Sequence, residues 1–295
     1  MIKSLTPAHW KDYELIDSGN FEKLERFGNQ VITRPEPQAV WDKSLNEADW
    51  QRRSQAIFRK EKNDPEKGKW FLNKGCLEQW QIGYSYKAMD LRMRLGLTSF
   101  RHIGVFPEQG DNWDFIYDRI KAMKASRPKV LNLFAYTGGA SLAACAAGAD
   151  VSHVDSVKPV ITWARENMEI SGLDGIRWIV EDALKFVKRE VRRGSKYQGI
   201  ILDPPAYGRG ADGEKWVLEE NINEMIKLCS ELLDPNENFL IMSLYSMGFS
   251  SMIGENLVRS AFGNRDNLES GELYLVDSFK KKLPLGTIVR FSNIY

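Results

Sequence analysis

The sequence predicts an α/β fold: a mostly parallel sheet with helices on both faces, preceded by a small β-rich region. Strand and helix signals alternate from residue 128 to 262, which implies a parallel sheet with right-handed crossovers. The apolar run 130–135 stops at Gly138-Gly139, and the small-residue segment 142–148 follows. That pattern fits a buried strand, a tight turn and a helix packed close to the sheet. Two late strand signals, 272–279 and 287–291, are joined by residues 280–286, so one of them runs antiparallel to the rest.

In chain order, residues 13–42 alternate short apolar and polar groups, broken at Ser18-Gly19-Asn20, Gly28-Asn29 and Pro35-Glu36-Pro37. Short strands with turns fit best. Residues 47–69 hold Arg52, Arg53, Arg59, Lys60, Lys62, Lys67 and Lys69 among acids. A solvated helix or loop is the commoner meaning of such a run. Two others stay open. Trp50, Phe58 and Trp70 beside a basic edge would suit single-stranded nucleic acid, or the same rings could form the core of a small β domain. Further on, Phe106-Pro107 ends an extended segment, because proline keeps its predecessor out of the α region. Glu108 and Gln109 then occupy a turn before a helix near 112–125. A carboxylate beside an amide suits an amino-acid-like ligand end. Helix capping with solvent exposure is the plainer account of the pair alone.

The alternating region carries strands near 130–135, 151–155, 176–180, 198–203 and 237–243. Helices fall near 138–148, 158–171, 182–193, 215–233 and 249–262. Pro159 takes an early helical position, where its missing N–H costs nothing, and Gly148 and Gly172 fall where helices end. The Gly138-Gly139 turn fits the floor of a nucleoside-cofactor pocket: glycine admits a ligand where a Cβ would collide, and the new helix offers unpaired N–H groups. Acids close successive strands, at the edge where open α/β sheets bind ligands. Asp155, about twenty residues past the turn, stands where an acid meets ribose hydroxyls. Asp182 can accept from an adenine amino group or cap the helix from 183. After Asp203, Pro204-Pro205 stiffen the exit and Tyr207 can lie beside a flat substrate, although a rigid turn explains Asp-Pro-Pro alone. Four such features in one register outweigh any single motif.

At these residues the chain resembles the class I S-adenosylmethionine-dependent methyltransferases, and most closely the bacterial group related to the large-subunit ribosomal RNA methyltransferases. The likeness covers residues 99–295. It rests on Asn132-Leu133-Phe134-Ala135-Tyr136-Thr137-Gly138-Gly139, Val154-Asp155, Glu181-Asp182 and Asp203-Pro204-Pro205. Gly104-Val105-Phe106-Pro107-Glu108-Gln109 is similar to the family's element that closes over the methionine end of the cofactor. The resemblance implies a seven-stranded Rossmann-like sheet with an antiparallel last hairpin. It implies a small β-rich domain over 1–95 and a methyltransferase domain over 96–295. It also implies S-adenosyl-L-methionine as cofactor and RNA, ribosomal RNA first, as substrate. Cofactor contacts are then expected from Phe106, Glu108, Gln109, Asn132, Phe134, Tyr136, Thr137, Gly138, Gly139, Asp155, Ser156, Asp182, Ala183 and Asp203. Asp203, Pro204, Pro205 and Tyr207 would face the acceptor.

Departures from the family pattern shape the chemistry. Phe134 and Tyr136 hold places where the family's turn has glycine. Relatives that methylate cytosine at carbon use a cysteine near the end of the fifth strand, and residues 241–247 contain none. A ring nitrogen, an exocyclic amine or a non-RNA acceptor is favoured instead. Ala206 separates Pro205 from the aromatic that follows the prolines directly in many amino-methylating members.

The formal net charge of +1 gives no global pull toward nucleic acid or membrane, so a polyanion site must be a local patch. Lys185, Lys188, Arg189, Arg192, Arg193 and Lys196 form one candidate on a single helix, though a solvated face is commoner. Cys76, Cys145 and Cys229 make no C-x-x-C pair, suggesting neither zinc nor a disulfide framework. No metal is expected, and a reduced cytoplasmic setting is. The first seven residues lack the apolar core of a signal peptide, and no run reaches membrane-spanning length. Two other classes compete. A nicotinamide-dependent oxidoreductase would show Gly-x-Gly-x-x-Gly, which residues 134–141 do not. A non-catalytic RNA- or protein-binding module would keep the fold without turnover.

Overall fold

The computed structural model describes residues 2–61, 64–210, 213–245, 248–265 and 267–294. Lys62 of the charged run, and Ser246 and Met247 beyond the fifth expected strand, lie outside the described residues. The chain begins with β1 (Ile2–Leu5), β2 (Tyr13–Gly19), β3 (Glu22–Phe27), β4 (Gln30–Pro35), α1 (Glu47–Arg53), β5 (Ala56–Glu61), β6 (Asp64–Leu72), β7 (Gln79–Tyr86) and β8 (Met89–Gly96). A 3-10 turn at Pro107–Gln109 leads into α2 (Gly110–Ala122). Then follow β9 (Lys129–Leu133), α3 (Gly139–Ala146), β10 (Asp150–Asp155), α4 (Lys158–Ile170), β11 (Arg177–Val180), α5 (Ala183–Arg192) and β12 (Gly199–Leu202). The last elements are β13 (Tyr207–Arg209), β14 (Lys215–Val217), α6 (Leu218–Leu232), β15 (Phe239–Leu244), α7 (Ser251–Phe262), β16 (Glu269–Val276) and β17 (Lys282–Ser292).

The chain divides into two compact units. Met1–Leu5, Asp111–Leu273 and Gly286–Tyr295 form one; Thr6–Gly110 and Tyr274–Leu285 form the other. The sheet of the first has, among the described residues, eight strands in the order β1-β16-β17-β15-β12-β9-β10-β11. β15, β12, β9, β10 and β11 pair in parallel, and β17 runs antiparallel to β15. The mostly parallel α/β sheet with an antiparallel C-terminal strand is thus as expected. β1 adds an eighth, edge strand that pairs in parallel with residues 270–273 of β16.

Burial explains why the central strands read as continuous apolar runs. Val130, Leu131 and Leu133 of β9 and Ile200, Ile201 and Leu202 of β12 are all buried, as expected of strands covered on both faces. α5 buries Ala183, Phe186, Val187 and Glu190, an i, i+3, i+4, i+7 stripe. Phe186 and Val187 join Ile222, Met225, Ile226 and Cys229 of α6 in one core. Two boundaries differ from the sequence expectation. Residues 215–217 form β14, paired with β13, instead of opening a helix. Residues 282–286 extend β17 instead of forming a loop.

Among the described residues, the second unit contains a five-stranded sheet, β2-β3-β4-β5-β6, and the β7-β8 ribbon. Within the charged run 47–69, residues 47–53 are helical, and 56–61 and 64–69 belong to the antiparallel strands β5 and β6. Trp50 and Phe58 are buried. The Trp70 ring meets Phe58 edge-on at 5.2 Å, and its Nε1 donates to the Thr98 carbonyl at 2.8 Å. Trp50 and Phe58 are core and Trp70 is half-buried against Phe58, which favours the small β-domain reading of these rings over stacking platforms for nucleic acid. Charge is buried here too: Arg34 makes a two-pronged pair with Glu25, Nε to Oε2 at 2.8 Å and Nη2 to Oε1 at 2.9 Å.

Candidate active site

The parallel register of the first unit aligns the strand ends. Leu202 of β12 lies opposite Leu133 of β9, Leu133 opposite Val154 of β10, and Asp155 opposite Val180 of β11. The residues that follow, Asp203, Phe134, Ser156 and Glu181-Asp182, therefore share one rim. Sequence reasoning placed Asn132, the 134–139 turn, Asp155, Ser156, Asp182, Ala183 and Asp203 there, and the sheet brings them together. Phe106, Glu108 and Gln109 belong to the other unit.

The turn after β9 is held in an uncommon conformation. Phe134 and Tyr136 have φ of 56° and 50°, and Gly138 has φ of 91°. The two aromatics thus occupy the left-handed region at the places where the family pattern has glycine, at a cost of roughly 1–2 kcal/mol each. The surroundings hold them. Ala135 N donates to the Val154 carbonyl at 3.1 Å, and Tyr136 N donates to Asp155 Oδ2 at 3.0 Å. Asn167, buried in α4, donates to the Thr137 carbonyl at 2.9 Å. Phe134 packs on Trp216, ring centroids 4.7 Å apart.

The paired glycines have a different explanation from the expected one. A Cβ on Gly139 would lie 2.5 Å from Cζ2 of the buried Trp113 in α2, and one on Gly138 would lie 3.2 Å from the Ala164 Cβ. Gly139 is fixed by packing against an indole and Gly138 by its positive φ; ligand approach is not needed to explain either.

Beneath the turn runs a buried polar chain that sequence reasoning missed. Asn132 Nδ2 donates to Ser141 Oγ at 2.9 Å, and Ser141 Oγ lies 3.0 Å from His153 Nδ1. His153 is fully buried, edge-on to Trp178 at 4.8 Å, and its Nε2 has no hydrogen-bond partner. Burial pushes its pKa down to about 3, so the imidazole is neutral. Asn132 therefore faces the interior, with its amide engaged by Ser141.

Asp155 accepts from Tyr136 N at 3.0 Å through Oδ2 and from Val157 N at 2.9 Å through Oδ1. Each oxygen keeps a lone pair. Burial raises its pKa, and the N–H groups of Val157, Tyr136 and Ser156 oppose that rise. Val157, 45% exposed, and Val180, 47% exposed, leave apolar surface open on the same rim; neither was anticipated. Asp182 is the N-cap of α5, its Oδ1 accepting from Lys185 N at 2.9 Å. The capping alternative is therefore realised, and Oδ2 is left for another donor.

Beyond Asp203, Pro204 is buried and Pro205 exposed. The Pro205 carbonyl accepts from Trp216 Nε1 at 2.8 Å and the Ala206 carbonyl from Leu218 N at 3.0 Å, so β14 and α6 pin the segment. Tyr207 is 51% exposed on β13, a strand too short to announce itself in sequence. All three cysteines are free thiols. Burial pushes each of them up, the opposite of a nucleophile's tuning. In the other unit Glu108 is buried in the 3-10 turn, neither solvent-exposed nor a cap. Burial raises it to about 7 against Lys23, with Glu25 and Glu36 adding to the rise. Among the described residues no group of His, Cys, Asp or Glu is placed to hold a metal ion, and no helix is long and apolar enough to cross a membrane.

Comparison with known proteins decides the family. The family model for S-adenosylmethionine-dependent methyltransferases matches residues 39–279. The chain belongs to this methyltransferase family. Its methyl donor is S-adenosylmethionine. The methyltransferase is similar to a SAM-dependent methyltransferase of Agrobacterium tumefaciens, at 38% identity and a TM-score of 0.90, over 98% of this chain and 93% of that one. SMU.776, solved in complex with SAH, shares the fold at 17% identity and a TM-score of 0.70, over 96% of this chain and 76% of that one. Ribosomal RNA large subunit methyltransferase K/L of Shewanella frigidimarina is 34% identical over 149 residues. That match takes in 49% of this chain and only 20% of the relative. The methyltransferase thus aligns with about a fifth of the curated relatives it resembles first.

Proposed function

We propose that this methyltransferase modifies RNA, ribosomal RNA first, at a nitrogen atom and without a cysteine nucleophile. The observation that carries the reading is the rim: a strained turn, Asp155, Asp182 and Asp203 end adjacent parallel strands, and no tuned thiol accompanies them. The RNA part is supported by relatives named as ribosomal RNA methyltransferases. Segment 96–295 supplies every group the reading uses. The reduced cytoplasm is the compartment that suits three free cysteines.

The residues present fit an adenosine-bearing donor. Asp155 keeps a lone pair on each oxygen for the ribose hydroxyls, and Asp182 keeps Oδ2 for the adenine edge. Val157 and Val180 offer apolar surface for the flat purine. Ser156 and Ala183 flank these acids, and the backbone of 134–139 lies toward the methionine end. Phe106, Glu108 and Gln109, in the other compact unit, are assigned to that end by the family resemblance alone. The bound sulfonium supplies an activated methyl group, so the protein's work is to orient and to exclude water. Alignment of acceptor, methyl and sulfur lowers the barrier. With the Pro205 carbonyl engaged by Trp216, Asp203 and Pro204 face the acceptor nitrogen, and Tyr207 stacks on its base. Asp203 accepts a hydrogen bond, or a proton where the acceptor is an amine.

Transfer of labelled methyl from S-adenosylmethionine into a cell extract, fractionated into RNA, protein and small molecules, tests the reading. Label in RNA, in a nucleoside methylated at nitrogen, is expected; label confined to protein or small molecules would refute it. Asp155→Ala is expected to weaken S-adenosylhomocysteine binding at least tenfold by calorimetry, about the loss of one charged hydrogen-bonding group.

A further inference from the structure

α5 turns one face to the core and another to a groove. Lys185, Lys188 and Arg192, spaced i, i+3, i+7, line the groove from the helix side, and Lys215 of β14 lines it from the opposite wall. The groove has a volume of about 670 Å³, and Leu184, Val191, Trp216 and Leu228 contribute apolar lining. The β13–β14 ladder continues the cationic wall. Lys215 stands opposite Arg209, and Val217 opposite Tyr207, so these four side chains share one face of the hairpin. Arg209 Nε donates to the Tyr207 hydroxyl at 2.9 Å. Cations and one exposed ring therefore run from the end of β12, where Asp203 stands, to the groove along α5.

We propose that this track seats a single-stranded segment of the RNA substrate beside the acceptor nucleotide. The inference rests on the RNA reading above and adds to it a surface and the strandedness of the ligand. Single-stranded nucleic acid needs cations along its backbone and apolar or aromatic surface for its base faces, and the groove has both. An A-form duplex would present mainly phosphates and 2′-hydroxyls, leaving the apolar lining without a use. Two acids also line the groove, Asp182 and Glu214. Asp182 is engaged as the cap of α5, and the half-buried Glu214 pairs with Lys185 at 3.5 Å. Lys188–Glu224 at 2.8 Å is a solvent-exposed pair, which contributes little to stability and can be exchanged for a phosphate. Arg192 and Lys215 pair with no carboxylate among the described residues. With a net charge of only +1 over the whole chain, a local track of this kind has to supply the attraction.

The test is fluorescence anisotropy of the full chain, with S-adenosylhomocysteine present, on a labelled single-stranded oligoribonucleotide of about twelve nucleotides. The parent is compared with Lys188→Gln/Arg192→Gln, two exposed positions. The expected result is a loss of RNA affinity on the order of tenfold at low salt. The slope of log K against log salt should become shallower by about 1.4, two phosphate contacts at about 0.7 each for a single strand. Affinity for S-adenosylhomocysteine should not change. Should the double variant melt early, Lys215→Gln on the facing wall gives the same readout at about half the slope change. If the parent binds the oligonucleotide and both variants bind it equally, the track is overturned and the RNA reading stands. If the parent binds no RNA and the methyl label enters protein, the RNA reading and the track fall together.

Discussion

His153, Ser141 and Asn132 are unremarkable in sequence, yet they decide whether the turn above them holds. Their buried chain supplies Asn132 Nδ2 with an acceptor and His153 Nδ1 with a partner through a single hydroxyl. Ser141→Ala removes that hydroxyl and leaves two buried polar groups unmatched, for a loss of about 2–3 kcal/mol. The expected outcome is a lowered urea midpoint with an unchanged m-value, which reports stability and not compactness. Gly139 sets two effects against each other. Alanine is better than glycine in a helix by about 1 kcal/mol. Its Cβ would, however, lie 2.5 Å from the Trp113 ring, and overpacking costs about 1–3 kcal/mol. Gly139→Ala should therefore destabilise slightly, and a double-mutant cycle with Trp113→Leu should show favourable coupling. A cycle with no coupling would refute the packing explanation. Sequence reasoning found the glycine pair but not the indole that Gly139 packs on, because that partner lies in α2, remote in sequence.

The 3-10 turn carrying Glu108 shows how an element can hide its chemistry. Glu-Gln before a helix looks solvated, but Glu108 is buried among Lys23, Glu25 and Glu36. Burial raises its pKa from 4.5 to about 7, so folding favours the protonated acid. The stability this gives is complete below the ordinary value and is lost as pH rises through the folded one. Glu108→Gln mimics the neutral form and has no such slope. Between about pH 4.5 and pH 7 the parent should lose up to about 3 kcal/mol relative to the variant, and the variant should melt higher at about pH 8. Parallel melting profiles for the two proteins would refute the burial argument. The strands nearby were hard to read for the same reason. β3, Glu-Lys-Leu-Glu-Arg-Phe, turns Lys23 and Glu25 inward with Leu24 also buried, so hydropathy loses its period of two. β13 and β14, at three residues each, are too short for any period. Asp203 was legible because it follows a fully apolar buried strand, Gly199–Leu202, and Asp155 and Asp182 because each stands at a strand-to-helix junction.

The molecule is less separable than a boundary near residue 96 suggests. The chain passes between the two compact units at Leu5/Thr6, Gly110/Asp111, Leu273/Tyr274 and Leu285/Gly286, so β16 and β17 each contribute to both. Tyr274–Leu285 is tied into the N-terminal unit by specific bonds. Ser278 N donates to the Leu15 carbonyl at 3.2 Å, Ser18 Oγ to Asp277 Oδ2 at 3.0 Å, and Lys281 Nζ to Asp17 Oδ1 at 2.9 Å. A single sequence shows strands and motifs, but not that twelve late residues close an early sheet; that pairing depends on contacts some 260 positions apart. Asp17 is the anchor. Burial pushes its carboxyl up, and Leu45 N, the Lys281 ammonium, Trp50 Nε1 and Ser44 N overturn that and hold it below 3.8. Its stability contribution is therefore present at neutral pH and is lost as pH falls through the lowered value. Lys281→Met removes the cation paired with Asp17 and leaves a buried carboxylate on neutral donors, at about 2–4 kcal/mol. The variant should unfold at lower urea at neutral pH, and the gap should narrow in acid, where Asp17 is protonated in both proteins. A pH-independent gap would mean that Lys281 acts by packing alone. The same ties predict that a chain beginning at residue 96, lacking the strands that Tyr274–Leu285 joins, will not give a cooperative thermal transition.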